Sequence, residues 1–130
     1  SRLEGQSKAY GVGIIIGPLT REKAPGFAAL ELDLIKVKGK TRPVRIFALL
    51  GRAELAADGD FKKLEADHKG MLDAYRARDW DAAGKALAAC RAHKLFDLHK
   101  LYDMYEERIK SYRADPPPPD WDGSYTATSK

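Results

Sequence analysis

One cysteine in 130 residues, Cys90, leaves no pair for an internal disulfide and fits a reducing compartment. Long apolar runs are missing too. None approaches the ~20 residues a bilayer crossing needs, and no stretch has the layout of a secretory leader. Acidic charge is scarce at the start: the first fifty residues hold four Asp/Glu against nine Lys/Arg. The remaining eighty hold fifteen against fourteen, so the net charge of +4 comes from the first part. These absences exclude a disulfide scaffold and a membrane span, and they point to the cytoplasm without direct membrane contact.

An apolar content of 44% and a charged content of 32% describe a globular chain long enough for one core or two small ones. The concentrated positive field suits an anion: a nucleotide, a nucleic acid or an acidic lipid. On composition alone a solvated basic face is the better reading. Nucleic acid is disfavoured, because the basic residues lack interleaved aromatics on which bases could stack.

Along the chain, "SRLEGQSKAYG" spaces Leu3 and Tyr10 seven apart, as a helix does, and Gly11 is a natural stop. No helix-start signal precedes it, so Ser1 is expected inside an interrupted helix. "VGIIIG" reads as a short strand, and "PLTREKAPG" as a helical turn or loop. "FAALELDLIKV" alternates Leu30, Leu32 and Leu34 against Glu31, Asp33 and Ile35, the period of a half-buried strand. Gly39 and Lys40 make a turn, and "PVRIFALL" returns antiparallel with Val44 and Ile46 on one face. Residues 51–60 read as a linker, with Ala53–Ala57 able to add a helical turn.

A helix capped by Asp60 then carries Phe61, Leu64, Met71, Leu72 and Tyr75. Asp79 opens a second, with Trp80, Ala83, Leu87 and Cys90 on one face. A third carries Leu98, Leu101, Tyr102, Tyr105, Ile109 and Tyr112. The tyrosines of that stripe read as core. The pair around "AYRARDWDAAGKAL" is similar to one tetratricopeptide unit, which cannot bury its faces alone. Four prolines, Pro116–Pro119, end the helices and start an extended tail over residues 114–130, where Trp121 is the one large anchor.

The hairpin "LIKVKGKTRPVRIF" gathers Lys36, Lys38, Lys40, Arg42 and Arg45 around one glycine, more positive charge than a turn needs. "SRLEGQSKAYGVGIII" followed by "LDLIKVKGKTRPVRIFAL" resembles the last third of a class III nucleotidyl cyclase catalytic domain. There an Asn-x-x-x-Arg-Leu-Glu helix leads to a strand, a short helix and a Val-Lys-Gly-Lys hairpin. The resemblance covers residues 1–50. It implies an α+β fold: closing antiparallel strands of a ferredoxin-like, split βαβ sheet, followed by a three-helix, tetratricopeptide-like cap over 61–113.

The same resemblance implies an activity. Such enzymes turn ATP or GTP into a 3′,5′-cyclic nucleotide and pyrophosphate, as homodimers with sites at the subunit interface. Lys38 would bind the β- and γ-phosphates. Arg2 would steady charge on the α-phosphate in the transition state. Lys40 and Arg42 would support the basic field. Mg²⁺ or Mn²⁺ would rest on aspartates upstream of this chain, as would the paired asparagine and the base-selecting residues. On that footing the chain is the inactive C-terminal piece of a larger signalling enzyme. The helical tail with its proline run and tryptophan looks like that of bacterial cyclases with an extracytoplasmic sensor region, which would tether the parent to a membrane.

Other chemistry has weaker support. "YGVGIIIG" lacks the later glycine and acidic partner of a dinucleotide site. Cys90, His93 and His99 supply three potential zinc ligands and no fourth, so Cys90 reads as a core residue and no metal site is expected here. "DGD" at Asp58–Asp60 lacks the later glutamate of a calcium loop. No Ser/His/Asp grouping is readable. The competing function is a non-catalytic interaction or regulatory module built on the three helices, and the half-sheet's open edge makes self-association a hazard.

Overall fold

A computed structural model describes residues 8–36 and 39–126. Leu3, Arg2 and Lys38 lie outside the described residues. The chain divides into two compact units. The first comprises described residues up to Asp58 together with 124–126, and the second is Gly59–Gly123.

The first unit is built on a mixed, open sheet. A helical turn at residues 8–10 ends at Gly11, whose φ of 70° is the left-handed stop a glycine supplies. Strand β1 (Ile15–Ile16) follows, then helix α1 (Pro18–Lys23), strand β2 (Ala28–Lys36) and strand β3 (Val44–Gly51). Pro18 starts α1, a helix with no buried residue, and Arg21 in its last turn donates through Nη1 to the carbonyls of Ala24 and Phe27 at 3.0 and 2.8 Å. Helix α2 (Ala53–Ala56) turns back on the sheet, as the alanine-rich stretch suggested. The sheet order is β1-β3-β2-β4, antiparallel except where β4 (Tyr125–Thr126) lies parallel to β2 at Ile35–Lys36. The tail therefore contributes a strand, an outcome its two residues of alternation could not signal.

The simple alternation expected in β2 is corrected by a bulge. Glu31 stands opposite Phe47 and Asp33 opposite Ile46, leaving Leu32 without a register partner. One extra residue shifts the alternation by one. Partners across the ladder share a face, so Leu30 with Ala48, Asp33 with Ile46 and Ile35 with Val44 lie on one side. Leu30, Ile46 and Ala48 are buried, and Asp33, expected beside Glu31, is 1% exposed among them. Ile35, also assigned to the wet side by counting, is buried as well.

The second unit holds helices α3 (Gly59–Arg76), α4 (Trp80–Ala92) and α5 (His99–Ala114). Asp60 sits inside the first turn of α3 rather than capping it, because the helix already begins at Gly59; there its carboxylate still faces the positive helix end. Asp79 does cap α4, accepting the Ala82 N–H at 3.1 Å. The apolar stripes meet as their spacing predicts: Phe61, Leu64, Met71, Tyr75, Ala83, Leu101 and Tyr105 are all nearly inaccessible. Tyr75 is the hub, with ring centroids 5.1 Å from Tyr105, 5.4 Å from Trp121 and 6.0 Å from both Trp80 and Tyr112. Trp121 thus packs back on the helices.

Gly123 follows with φ +86°, and a Cβ there would stand 2.8 Å from Arg76 Cγ. Gly123→Ala is expected to cost about 1–3 kcal/mol, from left-handed strain plus crowding. A urea midpoint equal to that of the parent would refute this.

Candidate functional site

The β2–β3 hairpin presents the basic cluster. Its two strands pair from Ile35 opposite Val44 back to Ala28 opposite Gly51, which brings Lys36 and Arg42 to one end of the ladder. Gly39 takes φ +87° at the turn, with nothing within 4 Å of where a Cβ would be. That backbone is open to close approach by a ligand and costs little only for glycine. Lys40 and Arg42 are exposed, and neither side chain makes an ion pair or hydrogen bond among the described residues. Arg45 differs: its Nη1 donates to Glu31 Oε2 at 2.9 Å, a cross-strand pair that neutralises it. Sequence reasoning grouped Arg45 with the rest; the register separates it. The structure brings Lys40 and Arg42 together at the turn, while Lys38 and Arg2, the two residues of greatest interest, lie outside the described part.

Behind the hairpin sits a contact that sequence reasoning missed. Tyr10, at the end of the first helical turn and 3% exposed, donates its hydroxyl to Asp33 Oδ2 at 2.7 Å. The other Asp33 oxygen accepts the N–H of Leu34 at 2.9 Å. The available signal was an acid inside an otherwise apolar run, "LDLI".

In the second unit a cavity of about 330 Å³ is lined by Leu64, Cys90, Tyr102 and Leu98, with His93, Lys94 and His99 among its polar groups. The three potential zinc ligands face other partners. His93 Nε2 is 2.7 Å from Asp67, His99 Nδ1 is 2.6 Å from Asp97, and Cys90 neighbours the Tyr102 hydroxyl. Tyr102 in turn is 3.0 Å from His68 Nδ1. Among the described residues no group of three or more His, Cys, Asp or Glu is arranged for a metal ion. The His99 ring and its backbone N–H hold the Asp97 carboxyl below its usual range. Burial pushes the Tyr102 phenol up, with Cys90 adding to it.

Burial likewise pushes the Cys90 thiol up from 9.0 to about 11, the Tyr102 hydroxyl partly opposing. Native Cys90 should therefore react with a thiol reagent at pH 8 at least about 100-fold more slowly than in denaturant. Because the unfolded chain releases this proton first, Cys90's contribution to stability is intact below pH 9 and lost as pH rises toward 11. Equal rates in native and denatured protein would contradict the burial.

Between α4 and α5 lies a second groove of about 350 Å³ along Gly84, Leu87, Ala88 and Ile109. Its charged rim is neutralised: Arg91 pairs with Asp103 and Glu106, and Arg113 with Asp81. No helix among the described residues is long and apolar enough to cross a membrane. Set against models of known protein families, curated proteins and solved structures, the chain has no match.

Proposed function

We propose that this chain is the C-terminal part of a class III nucleotidyl cyclase catalytic domain, carrying a tetratricopeptide-like helical accessory over residues 61–113. The observation behind it is the hairpin: a glycine turn open to close approach, with Lys40 and Arg42 exposed and unpaired beside it. Cations at a protein surface are cheap to solvate singly, and two held at one glycine turn without partners among the described residues favour binding of a phosphate. The element order supports the same reading, with a helix end, β1, the short α1 and then the hairpin.

The reaction this assigns is an internal displacement on ATP or GTP. The 3′ oxygen of the ribose bonds to the α-phosphorus, the bond from that phosphorus to the β-bridging oxygen breaks, and pyrophosphate leaves with the electron pair. The hydroxyl proton passes to solvent or a base. Lys38 acts as a mobile point charge on the β- and γ-phosphates, and Arg2 grips α-phosphate oxygens with its planar fork. Lys40 and Arg42 add to the field that draws the triphosphate in. Mg²⁺ or Mn²⁺, held by residues outside this chain, would neutralise phosphate charge when bound. A homodimer of the full-length protein completes the site.

A second reading, an interaction module without catalysis, gains little from the α4–α5 groove. Leu87 and Ile109 are buried and the rim charges are spent on one another, so the groove offers a partner little apolar area. The test is turnover of ATP and of GTP by the full-length protein with Mn²⁺, beside its Lys38→Ala variant. Cyclic product from the parent and its loss in a variant of unchanged circular dichroism is the expected result. A parent that makes cyclic product as fast after Lys38→Ala as before would move the function away from the hairpin.

A further inference from the structure

The connection between α4 and α5 is apolar for a loop. Its stretch "HKLFDL" leaves α4 at His93, whose backbone is extended (φ −74°, ψ 137°), and rejoins a helix at His99. Connecting segments run mostly over the wet surface, yet here Leu98 is 6% exposed and Phe96 is half-buried. Side-chain bonds hold the loop against the helices. His93 Nε2 lies 2.7 Å from Asp67 of α3, and Arg91 in the last turn of α4 donates to Asp103 and Glu106 of α5 at 2.7 and 3.0 Å. Between this loop and Leu64, Cys90 and Tyr102 of the three helices lies the cavity of about 330 Å³. It is confined to the second unit, and the cyclase reading makes no use of it.

That volume is at the small end of the ~300–1,000 Å³ of ligand sites, room for one aromatic ring or a short alkyl chain. Leu64, Phe96, Leu98 and the ring of Tyr102 make much of the wall apolar. The charges at the mouth decide the rest. Asp97 is engaged: its Oδ1 accepts the His99 N–H at 3.2 Å and lies 2.6 Å from the same residue's Nδ1. Arg91 is engaged by its two acids. Lys94 is the one charged lining side chain with no ion pair or hydrogen bond among the described residues, and it is exposed. His93 and His99 each keep a second ring nitrogen, Nδ1 and Nε2, with no partner among those residues. An uncompensated ammonium beside an apolar cavity selects a ligand with an apolar body and a negative head. We infer that this cavity binds a small amphipathic carboxylic acid, its body against Leu64, Phe96 and Leu98 and its carboxylate on Lys94 at the mouth. The inference stands apart from the cyclase reading.

The test titrates the full chain, isotope-labelled for amide NMR, with octanoate and with phenylpropionate, one alkyl and one aryl acid. Phenylpropionamide serves as the uncharged match. At least one acid should saturate with a Kd below about 1 mM, as befits a ligand of this size. The shifts should centre on the amides of Cys90, Lys94, Phe96 and His99, which line the cavity. The amide should bind at least about tenfold more weakly than its acid, because a hydrogen bond to a charged group carries that much. Lys94→Gln alters an exposed side chain, so the rest of the spectrum should stay in place while the acid's affinity falls to that of the amide. A tighter fit of one acid than the other supports the inference and identifies the body as alkyl or aryl. Neither acid saturating by about 10 mM overturns it, since that is weaker than any site of use for such a ligand. An amide that binds as tightly as the acid, or a Lys94→Gln form that binds the acid as tightly as the parent, overturns the role of charge and with it the inference. Shifts confined to Lys40 and Arg42 overturn it too, and place the acid on the hairpin.

Discussion

Arg2→Ala in the full-length protein is expected to lower kcat by on the order of 10²–10³-fold while KM for the nucleotide moves by less than about threefold. The charge Arg2 would meet grows only as the 3′ oxygen closes on phosphorus, so its removal is felt in the transition state. Lys38→Ala should behave differently. The β- and γ-phosphates carry their charge before reaction begins, so losing the lysine weakens substrate binding and should raise KM by about tenfold, near 1.4 kcal/mol, with a further fall in kcat as pyrophosphate departs. Steady-state kinetics on both variants check this. The same KM and kcat in both as in the parent would refute the assigned roles; a rise of KM alone in Arg2→Ala would exchange them.

The second large effect is on the helical unit. Tyr75→Ala removes the ring on which Tyr105, Trp80, Tyr112 and Trp121 all converge, and Tyr75 is 1% exposed. Truncating a buried aromatic costs about 3–5 kcal/mol. In a unit as small as Gly59–Gly123 that is a large share of the total stability. Its melting transition should drop by roughly 12 °C or more, and the fluorescence of Trp80 and Trp121 should move toward that of exposed indole. A transition within about 3 °C of the parent's would show that the rings are not a cooperative cluster.

How much of this was legible depends on the period of each segment. Helix α5 is a single apolar stripe, and its residues Leu101, Tyr102, Tyr105 and Ile109 are buried as counting predicts. Cap chemistry located α4, whose Asp79 holds the Ala82 N–H. The turn at Gly39 was readable because glycine between two basic residues has few other uses. Strand β2 was readable in part: Leu30, Leu32 and Leu34 are buried as alternation predicts, but so are Asp33 and Ile35. Past Glu31 the bulge at Leu32 reverses the faces, and no rule of alternation announces an extra residue. Strand β4 was not readable at all, since Tyr125–Thr126 gains its pairing from β2 rather than from its own pattern. The basic turn could be named in advance for the same reason that Tyr10–Asp33 could not. Clustered charge is a local property of sequence, whereas a buried bond across 23 residues depends on register.

The central claim is that this chain belongs to a protein that cyclises a nucleoside triphosphate. The most direct measurement is identification of the products when the full-length protein is incubated with ATP, and separately with GTP, in the presence of Mn²⁺. The account predicts a 3′,5′-cyclic nucleotide and pyrophosphate in equal amounts from at least one of the two. Recovery of both nucleotides unchanged, or their conversion only to linear di- or monophosphates, would contradict it.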